Sequence, residues 1–262
     1  MQLFRNQFAS FAYGSQIAGY ATKDSDIDML VVLRRFPKKV KYVYEGKYSY
    51  LVVDKAVFEQ DIRKAEYGDF IANRIHNPIK PLFNRKYVEA MEVELKSRVI
   101  LDYALKLIYK YKENARNLRI NILYFPFRRW KKICRVHPPF IYSIENTLRK
   151  DLRARNLRKI LLGYRKAIKK LGILKHVKND WYKINGKFIN KHLTKIKRKK
   201  LRLALKEVET AYKKFKTHGK ATKSSGMTSQ NIIYEVLHKI KRAKRKKSKF
   251  KINPEKYIKI VK

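Results

Sequence analysis

The chain has 262 residues, of which 66 are Lys or Arg and 21 are Asp or Glu, so its formal net charge is +45. Hydrophobic residues make up 45% of it, which excludes disorder of the whole chain. No apolar run approaches the roughly 20 residues that cross a bilayer, and no signal peptide is recognisable, so we expect a soluble cytoplasmic protein. A single cysteine, Cys134, excludes an intrachain disulfide.

The positive charge is concentrated outside the first 70 residues. Residues 1–70 have a balance of +2, whereas the other 192 residues have a balance of +43. A body this basic repels itself and attracts polyanions, so the predicted partner is nucleic acid and no membrane partner is expected. A Lys-rich surface adapted to heat or to high internal salt is the alternative explanation.

The first 85 residues predict a small α/β unit. Strands are expected at 7–13 and 27–33, a hairpin at 42–53, and a short helix at 57–64. Between the first two strands the residues favour a short helix or a loop. Two prolines, at 78 and 81, indicate a break that ends this unit.

The remaining residues predict a mainly helical, basic region. Helices are expected at 87–111, 143–171 and 193–215, and Gly172 is placed to end the second of them. The Asn185-Gly186 pair between two apolar runs predicts a hairpin turn, with another turn at Asn179-Asp180. A helix followed by a hairpin is typical of a winged helix and of other small α+β units, so both interpretations stay open.

These breaks divide the chain into three predicted parts, residues 1–85, 86–216 and 217–262. The last part opens with a Gly- and Ser-rich stretch and contains the basic run KRAKRKKSK at 241–249. We expect it to be a linker and a basic tail that binds phosphates.

The stretch from Gly14 to Asp28 carries the chemistry. Because side chains alternate along a strand, Asp26 and Asp28 lie on one side and Ile27 on the other. Two neighbouring carboxylates disfavour joint ionisation, and a divalent cation such as Mg²⁺ or Mn²⁺ removes that cost. Gly14 permits close backbone approach to a phosphate, and the Ser15 hydroxyl can bond its oxygens. A phosphate-binding turn beside metal-binding carboxylates indicates phosphoryl or nucleotidyl transfer.

This spacing resembles the signature of the polymerase-β-like nucleotidyltransferase superfamily. The matching pattern is Gly-Ser, three residues, Gly, five residues and Ser-Asp-Ile-Asp, and it is most similar to that of minimal nucleotidyltransferase-domain proteins of archaea and bacteria. The resemblance implies an α/β (α+β) nucleotidyltransferase head, a small mixed sheet with flanking helices. It also implies in-line attack of an acceptor hydroxyl on the α-phosphate of a nucleoside triphosphate (NTP), with pyrophosphate leaving.

The resemblance further implies roles for individual residues. Asp26 and Asp28 would bind the catalytic metal ions, and Gly14 and Ser15 would contact the triphosphate. A third carboxylate is expected near the end of a following strand, and Asp54 is the best match for this third metal ligand. An ordinary aspartate that caps the following helix is the alternative.

Several residues keep more than one interpretation. Minimal members of the superfamily often carry a basic residue near the position of Ala18, so the triphosphate would depend on other cations here. Glu59 and Asp61 are alternative third carboxylates, although solvent-facing helix positions suit both better. Trp130 and Trp181 could stack on bases or serve as core anchors.

Two functions of different classes follow from these observations. The first is a metal-dependent nucleotidyltransferase whose basic body holds RNA or DNA as acceptor, with a protein hydroxyl as another acceptor class. The second is a nucleic-acid-binding protein on a catalytically silent nucleotidyltransferase scaffold, which an incomplete third carboxylate would favour. An architectural or ribosome-associated basic protein fits the composition but gives no reason for the carboxylate pair. The base and the oligomeric state are not indicated.

Overall fold

A five-stranded mixed sheet carries the Gly14–Asp28 stretch at one end of its strands. The computed structural model of the chain describes residues 6–193 and 253–261. The strands are β1 (Gln7–Tyr13), β2 (Ile27–Leu33), β3 (Val40–Glu45), β4 (Tyr48–Asp54) and β5 (Lys80–Phe83). Their order in the sheet is β3-β4-β2-β1-β5. β2 and β4 are parallel, and the other neighbours are antiparallel.

The central strand β2 is buried on both faces, as its unbroken apolar run predicts. Leu30 and Val32 belong to the main core on one face, whereas Val31 and Leu33 form a smaller cluster on the other. Asp28 has the parity of Leu30, so it begins the row that faces the main core. The predicted mixed sheet with flanking helices is therefore confirmed.

Helices cover the face of this sheet that carries Leu30 and Val32. The described helices are α1 (Gly14–Ala18), α2 (Lys55–Lys64), α3 (Ala72–His76), α4 (Arg85–Tyr111), α5 (Tyr124–Val136), α6 (Phe140–Thr147), α7 (Arg153–Leu171) and α8 (Gly186–Leu193). The long helix α4 packs against β1, α2, α3, α5 and α7. One hydrophobic cluster runs from β1 to α8, so the predicted boundary at residue 85 does not separate two cores. Within the described ranges, none of the helices has the length and apolar character of a bilayer span.

A second, antiparallel sheet lies in the basic region. Its strands are β6 (Leu118–Asn121), β7 (Leu174–Lys178), β8 (Trp181–Ile184) and β9 (Ile258–Ile260), in the order β7-β8-β6-β9. Before β9, a 3₁₀ turn at Pro254–Tyr257 places the Tyr257 ring 5.2 Å from the Phe127 ring. The prediction of a linker and tail is thus wrong for residues 254–260. The basic run at 241–249 lies outside the described residues.

Three local predictions also need correction. Pro81 does not break the fold but lies in β5, an edge strand, where a missing N–H is tolerated. Asn185-Gly186 is not a hairpin turn, because the Asn185 side chain accepts a hydrogen bond from the Lys187 N–H at the start of α8. The helix predicted at 143–171 is two helices, α6 and α7.

Other predictions for the basic region have different outcomes. The turn at Asn179-Asp180 is confirmed, since it joins the antiparallel strands β7 and β8. The winged-helix interpretation stays a prediction. The helix predicted at 193–215 lies outside the described residues after Leu193.

A buried histidine makes the stability of this core depend on pH. His137 lies between α5 and α6, where Nε2 is 3.1 Å from the Gly68 carbonyl oxygen, and burial lowers its pKa to about 4. The unfolded chain takes up this proton near pH 6.5, so the free energy of unfolding should fall as pH drops from about 6.5 to 4. The expected loss at His137 approaches about 3 kcal/mol. Urea unfolding at several pH values should show a flatter profile for His137→Asn and an unchanged profile for the exposed His176→Asn. Equal slopes in all three proteins would contradict this assignment.

Candidate active site

Gly14 and Asp28 are in direct contact at the end of the β1–β2 pair. Tyr13, the last residue of β1, pairs with Asp28. The chain then turns at Gly14, whose φ of +78° favours glycine, and continues into α1 with Ser15. A Cβ at residue 14 would overlap Oδ2 of Asp28, so any other residue there would displace this carboxylate and strain the backbone. The Gly14 turn and the Asp28 carboxylate, for which the sequence predicts a joint role, therefore lie side by side.

Asp26 is exposed and lies two residues before Asp28, at the entry to β2. The chain here is held by a hydrogen bond from the Ile27 N–H to the Lys47 carbonyl oxygen, 2.7 Å long. Burial raises the pKa of the Tyr13 hydroxyl well above its usual range, and the charges of both Asp28 and Asp26 add to that rise. The charges of both carboxylates are therefore felt at the Tyr13 hydroxyl.

A pair of aromatic residues lies near Asp28. Tyr20 and Tyr142 meet edge to face with ring centroids 6.4 Å apart, and Tyr142 is 69% exposed. Burial and the charge of Asp28 raise the pKa of Tyr20 to about 12. Tyr142 belongs to α6, so a helix distant in sequence contributes a ring next to Tyr20.

Arg74 is a site residue that no motif in the sequence marks. Its guanidinium carbon lies 4.5 Å from the Phe140 ring centroid, 4.9 Å from Phe70 and 5.4 Å from Tyr13, and Nη2 donates to the Tyr42 hydroxyl over 2.8 Å. Burial alone would lower the pKa of Arg74. The hydroxyls of Tyr42 and Tyr13 and the carboxylate of Asp28 outweigh this effect and raise the pKa overall. Arg74 therefore supplies a fixed positive charge near Asp28, held by aromatic rings.

The structure does not bring Asp54 to this site, and that prediction is wrong. Because β2 and β4 are parallel, Asp54 pairs with Leu33, whereas Asp28 pairs with Ser49. Asp54 therefore lies five residues along β4 from Ser49, the partner of Asp28, which is a distance of about 17 Å along the sheet. Its carboxylate accepts the N–H groups of Ala56 and Phe36, each at 2.8 Å, so it caps α2 as the alternative interpretation held.

Replacing Asp54 by Ala should leave nucleotide binding unchanged but destabilise the fold. The loss of the helix cap is expected to lower the free energy of unfolding by about 1 kcal/mol, with a further loss from the unpaired Phe36 N–H. Urea unfolding and nucleotide titration of one preparation measure both quantities. A loss of nucleotide affinity without a loss of stability would contradict the capping role.

The other candidate carboxylates also lie elsewhere. Asp61 is fully buried rather than solvent-facing, and it accepts backbone N–H groups from Tyr67, Asp69, Ile71 and Ala72. Glu59 forms an ion pair with Lys55 at 2.9 Å on α2. Of the two tryptophans, Trp130 is a core anchor, since it is fully buried and its indole donates to Asn77.

The carboxylates of Asp26 and Asp28 and the hydroxyl of Ser49 remain as candidate ligands of a metal ion. Within residues 6–193 and 253–261, no group of three or more His, Cys, Asp or Glu side chains could hold one. Ser49, buried beside Asp28, occupies the neighbouring position on β4. A small set of hard oxygen donors fits Mg²⁺, which keeps several waters and usually shares its coordination with substrate phosphates. The donor set therefore suits an ion that arrives with a nucleotide.

A comparison with known families agrees with this geometry. The family model of the nucleotidyltransferase domain matches residues 2–151, more than half of the chain. The chain belongs to this family, as the resemblance of the Gly14–Asp28 stretch implies. Family membership supports nucleotidyl transfer as its general activity. No curated protein matches the chain.

Proposed function

We propose that the chain is a metal-dependent nucleotidyltransferase that moves a nucleoside monophosphate from an NTP to a hydroxyl of a nucleic acid and releases pyrophosphate. The observation that carries this proposal is the contact between the Gly14 turn and Asp28. It brings a phosphate-binding backbone and a metal-binding carboxylate to one point, as phosphoryl chemistry requires.

Each residue of the site has a separate task in this proposal. Gly14 and Ser15 hold phosphate oxygens through backbone N–H groups and a hydroxyl. Asp26 and Asp28 hold a divalent cation, Mg²⁺ or Mn²⁺, which when bound neutralises phosphate charge and favours ionisation of the attacking hydroxyl. Arg74 adds a positive charge that needs no proton transfer, because a guanidinium stays protonated.

The acceptor is inferred from charge. A net charge of +45 on 262 residues favours a polyanion, and the acceptor hydroxyl of a nucleic acid comes with many phosphates. A protein hydroxyl as acceptor would not use this charge. RNA and DNA both fit, and the assay below separates them.

Neutralising the basic run at 241–249 should weaken nucleic-acid binding and flatten its dependence on salt. This run holds seven Lys and Arg residues, and each phosphate that is no longer neutralised lowers the slope of log K against log salt by about 0.7–0.9. Replacing all seven by Gln is preferable to a truncation, because a truncation would also remove β9. Fluorescence titration with a labelled oligonucleotide at several salt concentrations measures the slope. An identical slope would mean that this run does not bind phosphates.

A second candidate function is favoured by Ser49. The position beside Asp28 on β4 holds a serine rather than a carboxylate, so the proposed site has two acidic ligands. Such a site can still bind a metal-bound nucleotide but activates an acceptor less effectively. A nucleic-acid-binding protein that holds NTP without transferring it would have this arrangement.

Transfer of α-labelled NTPs, one base at a time, distinguishes the two functions. The acceptor pool contains RNA, DNA and protein, and the metal is Mg²⁺ or Mn²⁺. Label in the RNA or DNA fraction that disappears with Asp26→Ala supports the transferase. Mg²⁺-dependent NTP binding without label in any fraction supports the silent scaffold, and label in the protein fraction would contradict a nucleic-acid acceptor.

A further inference from the structure

The turn that is proposed to hold the triphosphate has no cation of its own. Residues 14–19 read GSQIAG, and the first basic residue after them is Lys23. A triphosphate carries several negative charges, which one divalent ion neutralises only in part. Arg74, already placed near Asp28, supplies one further positive charge, and we expect another positive side chain from elsewhere in the fold at this segment.

A helix beyond the matched family residues contacts the Ala18–Gly19 end of this segment. Arg155, near the start of α7, donates from Nη2 to the Ala18 carbonyl oxygen over 2.8 Å. Gly19 has φ of +85°, and a Cβ there would overlap Nη2 of Arg155, so the guanidinium lies against Gly19, at the C-terminal end of α1. The neighbouring Asn156, fully buried, donates to the carbonyl oxygens of Ala18 at 2.9 Å and Thr147 at 3.0 Å. Two adjacent side chains at the start of α7 thus donate hydrogen bonds to the Ala18 carbonyl oxygen.

Among residues 6–193 and 253–261, Arg155 forms no ion pair, and the nearest carboxylate before it in sequence is engaged elsewhere. Asp151 pairs with Arg149 at 3.0 Å. One helical turn after Arg155 lies Lys159, whose pKa is lowered by burial and by the charge of Arg155. Two like charges four residues apart destabilise a helix, and an anion between them would remove that cost.

We infer that Arg155, supported by Lys159, binds the triphosphate of the NTP and supplies the positive charge that the Gly14–Gly19 turn lacks. Arg155 is exposed, and its guanidinium has five N–H donors, of which the Ala18 carbonyl oxygen takes one. This inference rests on the proposed function and adds that residues 2–151 alone do not form the complete nucleotide site.

The test uses inorganic tripolyphosphate and Mg²⁺-ATP as probes of the full-length protein, titrated by calorimetry. Arg155→Gln removes the charge but keeps an amide donor for the Ala18 carbonyl oxygen, whereas Arg155→Lys keeps the charge. Arg158→Gln removes the same charge from an exposed position on the same helix and is the matched control. We expect Arg155→Gln to weaken tripolyphosphate binding by about tenfold or more, Arg155→Lys to weaken it less, and Arg158→Gln to change it little.

The outcomes separate this inference from the proposed function. Equal weakening by Arg155→Gln and Arg158→Gln would mean that the general positive field attracts the probe, and would overturn the inference. Mg²⁺-ATP binding that is lost in Asp26→Ala but intact in Arg155→Gln would also overturn it, while the proposed function would stand. A wild-type protein that binds neither probe would overturn both. Unchanged thermal unfolding of Arg155→Gln confirms that a loss of binding is not a loss of fold.

Discussion

Replacing Asp28 by Ala is expected to abolish Mg²⁺-dependent transfer of labelled nucleotide, with a loss of at least about 10³-fold, or about 4 kcal/mol of transition-state stabilisation. Asp28 is the carboxylate that contacts the Gly14 turn, so its removal takes the proposed metal ligand away from the point where phosphates would lie. It begins the row of Leu30 and Val32 but is itself only half buried, so the fold should persist. Single-turnover transfer and circular dichroism of the same sample measure both effects.

The matched control is Asp24→Ala. Asp24 is an exposed carboxylate of the loop that leads to β2, so the same charge is lost close to the site without loss of a proposed ligand. Its rate should stay within a factor of about two or three of wild type, since an exposed charge is strongly screened. Equal losses in both variants would show that the loop's charge matters rather than a ligand at residue 28.

Replacing Asp69 by Asn should destabilise the fold more than any other single charge removal proposed above. Asp69 is 1% exposed and forms ion pairs with Arg98, with Arg129 at 3.3 Å and with Lys132 at 3.1 Å. Burial alone would raise its pKa, but the charges of Arg129, Arg98 and Lys132 hold that pKa well below its usual range. Loss of this carboxylate leaves buried cations without their counter-charge, which costs about 3–5 kcal/mol. Urea unfolding at neutral pH measures the change.

Asparagine is the informative substitute because Asp69 has φ of +68°, a conformation that Asn also tolerates. The variant therefore removes charge with little backbone strain. Asp151→Asn breaks the exposed pair with Arg149 and should cost less than about 1 kcal/mol. A similar small loss for Asp69→Asn would mean that water or neighbouring groups compensate the buried cations.

The sequence alone predicts where Gly14 and Asp28 lie because its signals are local. Their placement follows from a strand that ends in a turn and from alternation along the next strand, and these patterns need no knowledge of distant contacts. The apolar run at 27–33 fixes β2 with the same bounds that the structure has. The helix bounds of α4 are also close, since its apolar spacing extends over many turns.

Features that depend on how elements pair are beyond such patterns. The sequence shows that Asp54 ends a strand, but the parallel pairing of β2 and β4 decides that this end lies with Leu33 and away from Asp28. Arg74 lies near Tyr13, and Arg155 near Gly19, only through tertiary contacts of helices that are distant in sequence. Their neighbours in sequence give no sign of it.

The return of the chain to form β9 changes how residues 194–252 act. This stretch holds 21 of the chain's Lys and Arg residues against three Glu. It leaves α8, whose Ile189 is fully buried, and it re-enters the fold near Tyr257, so it is attached to the body at both ends. A nucleic acid already bound to the body would meet these cations at a high effective concentration, without a second diffusional encounter. The basic stretch and the body would then act as a bivalent binder within one chain.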